Sequence, residues 1–128
     1  SALVNLSESD RMNIKIPQLG VSEVQLEQEA IKNSDSVIAT SPHSVPFWKT
    51  RVKTFLMLSQ INIKYYDEVI RAISTASRLA PTDAKVFYNL GLILKRAGKN
   101  QEAIEAVKTA VKLKPDYNEA IKWLEENK

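Results

Sequence analysis

Three times along this chain a glutamate followed by two apolar residues is met, 13 positions later, by a proline. Glu29-Ala30-Ile31 leads to Pro42, Glu68-Val69-Ile70 to Pro81, and Glu102-Ala103-Ile104 to Pro115. Self-similarity of this kind constrains the fold more than any composition, because each unit must be a similar supersecondary element that buries its apolar face on the next. Within the units the apolar residues recur at helical spacing, as Ile70, Ile73, Ala76 and Leu79, and again as Ile104, Val107, Val111 and Leu113. Each proline closes its helix by pushing the preceding residue out of helical geometry.

Start signals complete the pattern. Ser22-Glu23-Val24-Gln25 and Asp116-Tyr117-Asn118-Glu119 read as capping boxes. Ser44, Asp83 and Asn100 read as N-caps, and Gly98 suits a left-handed turn at a helix end. The expected helices are 22–40, 45–62, 66–80, 84–97, 100–114 and 117–127. The short links between most of them force neighbours to run antiparallel. The fold class is therefore all-α, an α-solenoid of antiparallel helix hairpins with two full repeats, a degenerate half repeat and a C-terminal capping helix. The expected units are an irregular segment or partial first helix at 1–21, a second helix of a degenerate repeat at 22–44, a repeat with an insertion at 45–83, a regular repeat at 84–117 and the capping helix at 118–128.

The regular unit resembles a tetratricopeptide repeat over its whole length. Phe87, Leu90-Gly91, Leu94, Ala103, Val107, Ala110 and Pro115 stand at the positions that carry that pattern. Gly91 and Ala103 are expected to let two backbones approach, with Phe87, Leu90 and Val107 filling the space around them. The preceding unit departs from the pattern. Trp48 and Phe55 keep the aromatic positions, but Arg51-Val52 replaces Leu-Gly and extra residues lie between Phe55 and Val69. More faintly, Phe47-Trp48-Lys49-Thr50-Arg51 with Ala80-Pro81-Thr82-Asp83-Ala84-Lys85 looks like the repeat tails of some bacterial O-antigen ligase-like membrane proteins. That resemblance would append the domain to a membrane glycan ligase or polymerase as a spacer or assembly element.

Composition narrows the chemistry. The chain has no cysteine, so disulfides, thiolate metal sites and cysteine nucleophiles are excluded. His43 is the single histidine, falls in an inter-helix turn and has no sequence companions for metal binding or base catalysis. Glu125 and Glu126 are adjacent on a helix and so do not face each other. Three glycines cannot build a phosphate-cradling loop. No apolar run is long enough to cross a bilayer. The reading is a non-enzyme that needs no cofactor and no metal.

Charge placement points to the surface used. The net charge is +3, but the bases gather on the first helices of the two full repeats, at Lys49, Arg51 and Lys53, then Lys85, Lys95 and Arg96. No acid falls between Asp35 and Asp67 or between Asp83 and Glu102. The family resemblance implies that first helices line a concave groove. Removing core positions leaves Lys49, Lys53 and Leu56, then Lys85, Tyr88, Asn89, Leu92 and Arg96, as the groove-facing set. Trp123 points either to that groove or toward a further repeat. A complete clamp for a C-terminal carboxylate is absent, because Lys53, Glu119 and Trp123 stand where its other polar ligands belong. The expected partner is a protein or peptide, acidic by charge complementarity. Alternatives are a helical-repeat nucleic-acid binder, with Tyr88 as the stacking aromatic, or self-association through the apolar C-terminal helix.

Overall fold

A computed structural model of the protein describes residues 22–128. The reading of 1–21 lies outside the described residues. The described chain forms six α-helices and one 3-10 turn, with no strand among them: α1 (Glu23–Thr40), α2 (Val45–Ile61), the 3-10 turn (Ile63–Tyr65), α3 (Tyr66–Leu79), α4 (Ala84–Arg96), α5 (Asn100–Leu113) and α6 (Asn118–Glu126). The tightest pairs are the hairpins α4–α5 and α2–α3; α3 joins them by packing on α4, with α1 and α6 added at the two ends. This is an α-solenoid of helix hairpins.

Local chemistry accounts for most boundaries. The Ser22 hydroxyl accepts from the Gln25 N–H at 3.1 Å while the Ser22 N–H donates to Gln25 Oε1 at 2.8 Å, so the first capping box is closed. Ser44 caps α2 through Phe47 N–H, and Asp83 Oδ1 caps α4 through the N–H groups of Lys85 and Val86. Gly98 has φ 81°, and the Lys99 and Gly98 N–H groups return to the carbonyls of Leu94 and Lys95, both at 3.0 Å. That pairing satisfies the last carbonyls of α4 and requires a residue at ease in the left-handed region. Two cap readings are corrected. Lys99, not Asn100, precedes α5, and Tyr117, not Asp116, precedes α6, neither with a side-chain cap bond. The Tyr117 N–H bonds Lys114 O at 3.0 Å in the turn after Pro115, so that helix starts one residue later than the Asp-x-x-Glu pattern requires.

The extra residues of the 45–83 unit mostly lengthen α2, which has 17 residues against 13 in α4, and only slightly widen the turn between α2 and α3. That link ends in the 3-10 turn, which the Asn62 side chain caps through Lys64 N–H at 3.0 Å. Tyr65 from this turn meets Phe55 edge-on, with ring centroids 6.0 Å apart. One buried cluster centres on Phe55, Leu58, Val69, Ile73 and Val86, and a second on Leu94, Ala103 and Ala106; half-buried Ile70 and Leu90 pack against both. Leu90 thus welds one repeat to the next as well as filling its own hairpin.

Helix α1 is attached differently. It buries no residue, although Ala30 and Ile31 pack against the first cluster. Arg51 supplies a polar junction. Its Nη1 donates to Ser34 Oγ at 2.7 Å and pairs with Asp35 at 2.9 Å, while Nε pairs with Glu68 on α3 at 3.1 Å. The guanidinium also lies 4.7 Å from the Phe55 ring centroid, and its side chain is only 11% exposed. One side chain therefore ties α1, α2 and α3. Arg51→Met keeps an apolar stem but removes bonds worth about 1.5–3 kcal/mol for charge-assisted pairs of this kind. The α1 amides should then exchange hydrogen faster while those of α4 and α5 keep their protection. Unchanged α1 exchange would show that Ala30 and Ile31 suffice to hold that helix.

Candidate functional site

Helices α2, α4 and α6 share one side of the solenoid because antiparallel hairpins bring every first helix to the same face. On that face lies a cavity of about 830 Å³ lined by Lys49, Val52, Lys53 and Leu56 of α2, by Lys85, Val86, Asn89, Leu92, Ile93, Lys95 and Arg96 of α4, by Tyr66 and Ile73 of α3, and by Trp123 of α6. Eight of the nine residues expected from sequence therefore line one cavity: Lys49, Lys53, Leu56, Lys85, Asn89, Leu92, Arg96 and Trp123. Tyr88 does not. Its ring packs against Tyr117 with centroids 5.2 Å apart, on the seam between α4 and the turn entering α6.

The floor goes beyond the sequence reading. Val52, Val86 and Ile93 are buried yet border the cavity, as do Tyr66 and Ile73 from the second helix of the preceding hairpin. A signal for them exists in the stripe Val86, Asn89, Ile93 and in the seven-residue step from Tyr66 to Ile73. The Tyr66 hydroxyl donates to the Ile93 carbonyl at 2.8 Å, pinning α3 to α4 beneath the groove. Burial raises the Tyr66 pKa, an effect that Arg96 partly opposes. Trp123 packs against the second cluster and lines the cavity, which answers where its ring goes. The other tryptophan, Trp48, is half-buried against the first cluster and donates its indole N–H to the Pro42 carbonyl at 2.7 Å.

Five of the lining residues are cationic and none is acidic. They are not equivalent. Lys49 Nζ lies 3.2 Å from Asp83 Oδ2, so the carboxylate that caps α4 also neutralises one groove lysine. Among the described residues Lys53, Lys85, Lys95 and Arg96 form no ion pair, leaving their charge available. Arg51 is turned away from the cavity into the α1–α3 junction.

The Asp83 carboxyl carries a pH signature. Partial burial works to raise its pKa, but Lys49 and the N–H groups of Val86 and Lys85 together outweigh burial and hold it below the ordinary 3.8. A depressed carboxylate contributes stability that is present above the unfolded value and lost as pH falls through the folded one. Asp83→Asn keeps an oxygen able to cap the helix while removing the titration. Thermal melts from pH 6 down to about 3 should therefore show the wild type losing more stability than the variant. Parallel curves would mean that the Lys49–Asp83 pair contributes nothing measurable, as exposed pairs often do.

The fold defines a class, a solenoid of helical hairpins. Residues 84–117 match the family model of the tetratricopeptide repeat. The solved structure "MamA RS-1 ArsTM double mutant" is similar with a TM-score of 0.63 and 24% identity, covering 89% of this chain and 58% of that one. At that identity the likeness is one of fold, and this chain spans 58% of the neighbour's length. No curated protein matches the sequence. The chain is thus a tetratricopeptide-like α-solenoid, with sequence likeness to the family at its fourth and fifth helices. Among the described residues no helix is long and apolar enough to cross a membrane.

Proposed function

We propose that this chain is a non-catalytic scaffold that binds an anionic segment of another protein in the groove formed by α2, α4 and α6. One observation carries the reading: five cationic side chains and no acid surround an apolar floor. Such a surface accelerates encounter with an acidic partner, while apolar contact supplies most of the residence time. The likeness of residues 84–117 to the tetratricopeptide repeat supports it, since that fold typically serves protein interaction. A nucleic-acid role finds less support, because Tyr88, the expected stacking aromatic, is engaged with Tyr117.

Site-specific photocrosslinking in the cell of origin tests the reading. A photoreactive residue placed at Leu56 or Leu92 should capture the same protease-sensitive species, and one placed at Lys108 on α5 should not. Capture of a nuclease-sensitive species at the groove positions would replace the proposal with the nucleic-acid one. Capture at Lys108 alone would move the interaction to the outer helices.

A further inference from the structure

The geometry points to an acidic amphipathic α-helix as the segment that this groove takes, an inference that rests on the binding role proposed above. The deciding feature is how few hydrogen-bonding groups the floor presents. Val52, Leu56, Val86, Leu92 and Ile93 offer only apolar surface. The Tyr66 hydroxyl proton is already given to Ile93 O. That leaves the Asn89 amide, with the Trp123 indole N–H at the end of the floor as a further donor. An extended peptide brings one donor and one acceptor per residue, and those pressed on an apolar surface without partners are costly to bury. Asn89 can serve only one or two of them. A helix satisfies its own backbone and can lay an apolar stripe on such a floor.

The cations sit where that arrangement needs them. Lys53 stands on α2 and Lys85, Lys95 and Arg96 stand on α4, so each helix that supplies the apolar floor also carries positive charge. Carboxylates flanking the apolar stripe of an incoming helix would meet these groups. Because the four form no ion pair among the described residues, the partner's acids displace no internal pair there. Lys49 is the exception, being held by Asp83. Trp123 ends the floor at α6 and packs against the cluster of Leu94, Ala103 and Ala106, giving that end an aromatic wall.

Three fluorescein-labelled synthetic peptides of about 15 residues, a length at which isolated helices are marginal, make the test. The first places leucines at helical i, i+3, i+4, i+7 spacing with glutamates elsewhere. The second carries one central proline in place of a glutamate, and the third has lysines for the glutamates. Fluorescence anisotropy should show the first binding at low salt and the third not binding. The proline peptide should bind about a hundredfold more weakly, from the cost of proline inside a helix. Far-UV circular dichroism should show the first peptide gaining helix when bound. Equal affinity of the first two peptides would overturn the helical occupant yet leave an anionic groove standing. If the acidic peptides fail to bind and crosslinking at Leu92 also captures nothing, the groove reading falls with it. Binding of the first peptide that survives Lys53→Glu with Arg96→Glu would place the peptide outside the groove and overturn the inference.

Discussion

Replacing Gly91 by leucine should lower the unfolding free energy by about 1–3 kcal/mol, the range for overpacking a close-packed core. The cause is visible atom by atom. A β-carbon at position 91 would collide with the Val107 Cγ2 methyl and stand 3.1 Å from the Ala103 carbonyl oxygen. Val107 and Ala103 are both fully buried on α5, so neither neighbour can swing into solvent. Alanine sharpens the test because its helix propensity favours it over glycine by about 1 kcal/mol at an unconstrained helical site. Here Gly91→Ala should destabilise despite that gain, and the reversal of sign is the signature of the close approach. Val107→Ala removes the colliding methyl, so the double variant should lose less than the two single losses added together. Chemical denaturation of the four proteins measures the coupling directly. Additive losses, or a Gly91→Ala variant more stable than the wild type, would mean that α4 and α5 can separate at little cost.

The second large effect concerns binding. Lys53→Glu combined with Arg96→Glu should weaken an anionic partner about ten- to a hundredfold, mostly through slower association at low salt. Neither side chain is in an ion pair among the described residues, and both belong to exposed residues on the cavity rim. The fold should therefore survive, which matching thermal melts of the variant and wild type would establish. Lys49 is a poor choice for such a reversal. A glutamate there would face Asp83, converting an attraction at the α4 cap into a repulsion. The control is Lys108→Glu with Lys112→Glu on the outer helix α5. Lys108 makes only a 3.8 Å contact with Glu105, both mostly exposed, so its loss costs little. If the outer reversal abolished binding and the groove reversal did not, the second helices would be the interaction surface.

Both predictions depend on register, and register was largely legible in the chain. The prolines at 42, 81 and 115 stop helices wherever they stand, because their effect on the preceding residue is local. Ser22, Ser44, Asp83 and Gly98 act through atoms within five residues of themselves, so their roles could be read without a third dimension. Helical periodicity then divides each first helix into a core face and a groove face. That division puts Lys53, Leu56, Asn89, Leu92 and Arg96 on the groove face, and all five line the cavity.

What the sequence could not decide are the contacts between residues far apart along the chain. Lys49 reads as a free cation until Asp83, placed by a turn between hairpins, comes within 3.2 Å. Tyr88 lies at the border between two helix faces, where spacing alone allows either direction, and the Tyr117 ring draws it to the seam. Arg51 belongs to a basic first helix in sequence but is claimed by Asp35 and Glu68 on its two flanking helices. Asp116 shows the converse failure, a correct local pattern left unused because the preceding turn starts the helix one residue late. Covalent neighbours fixed the helices, their order and their faces, since capping, proline geometry and periodicity act over a turn or two. The packing of those helices decided which charges stay free, because pairing depends on distances that only the folded chain sets.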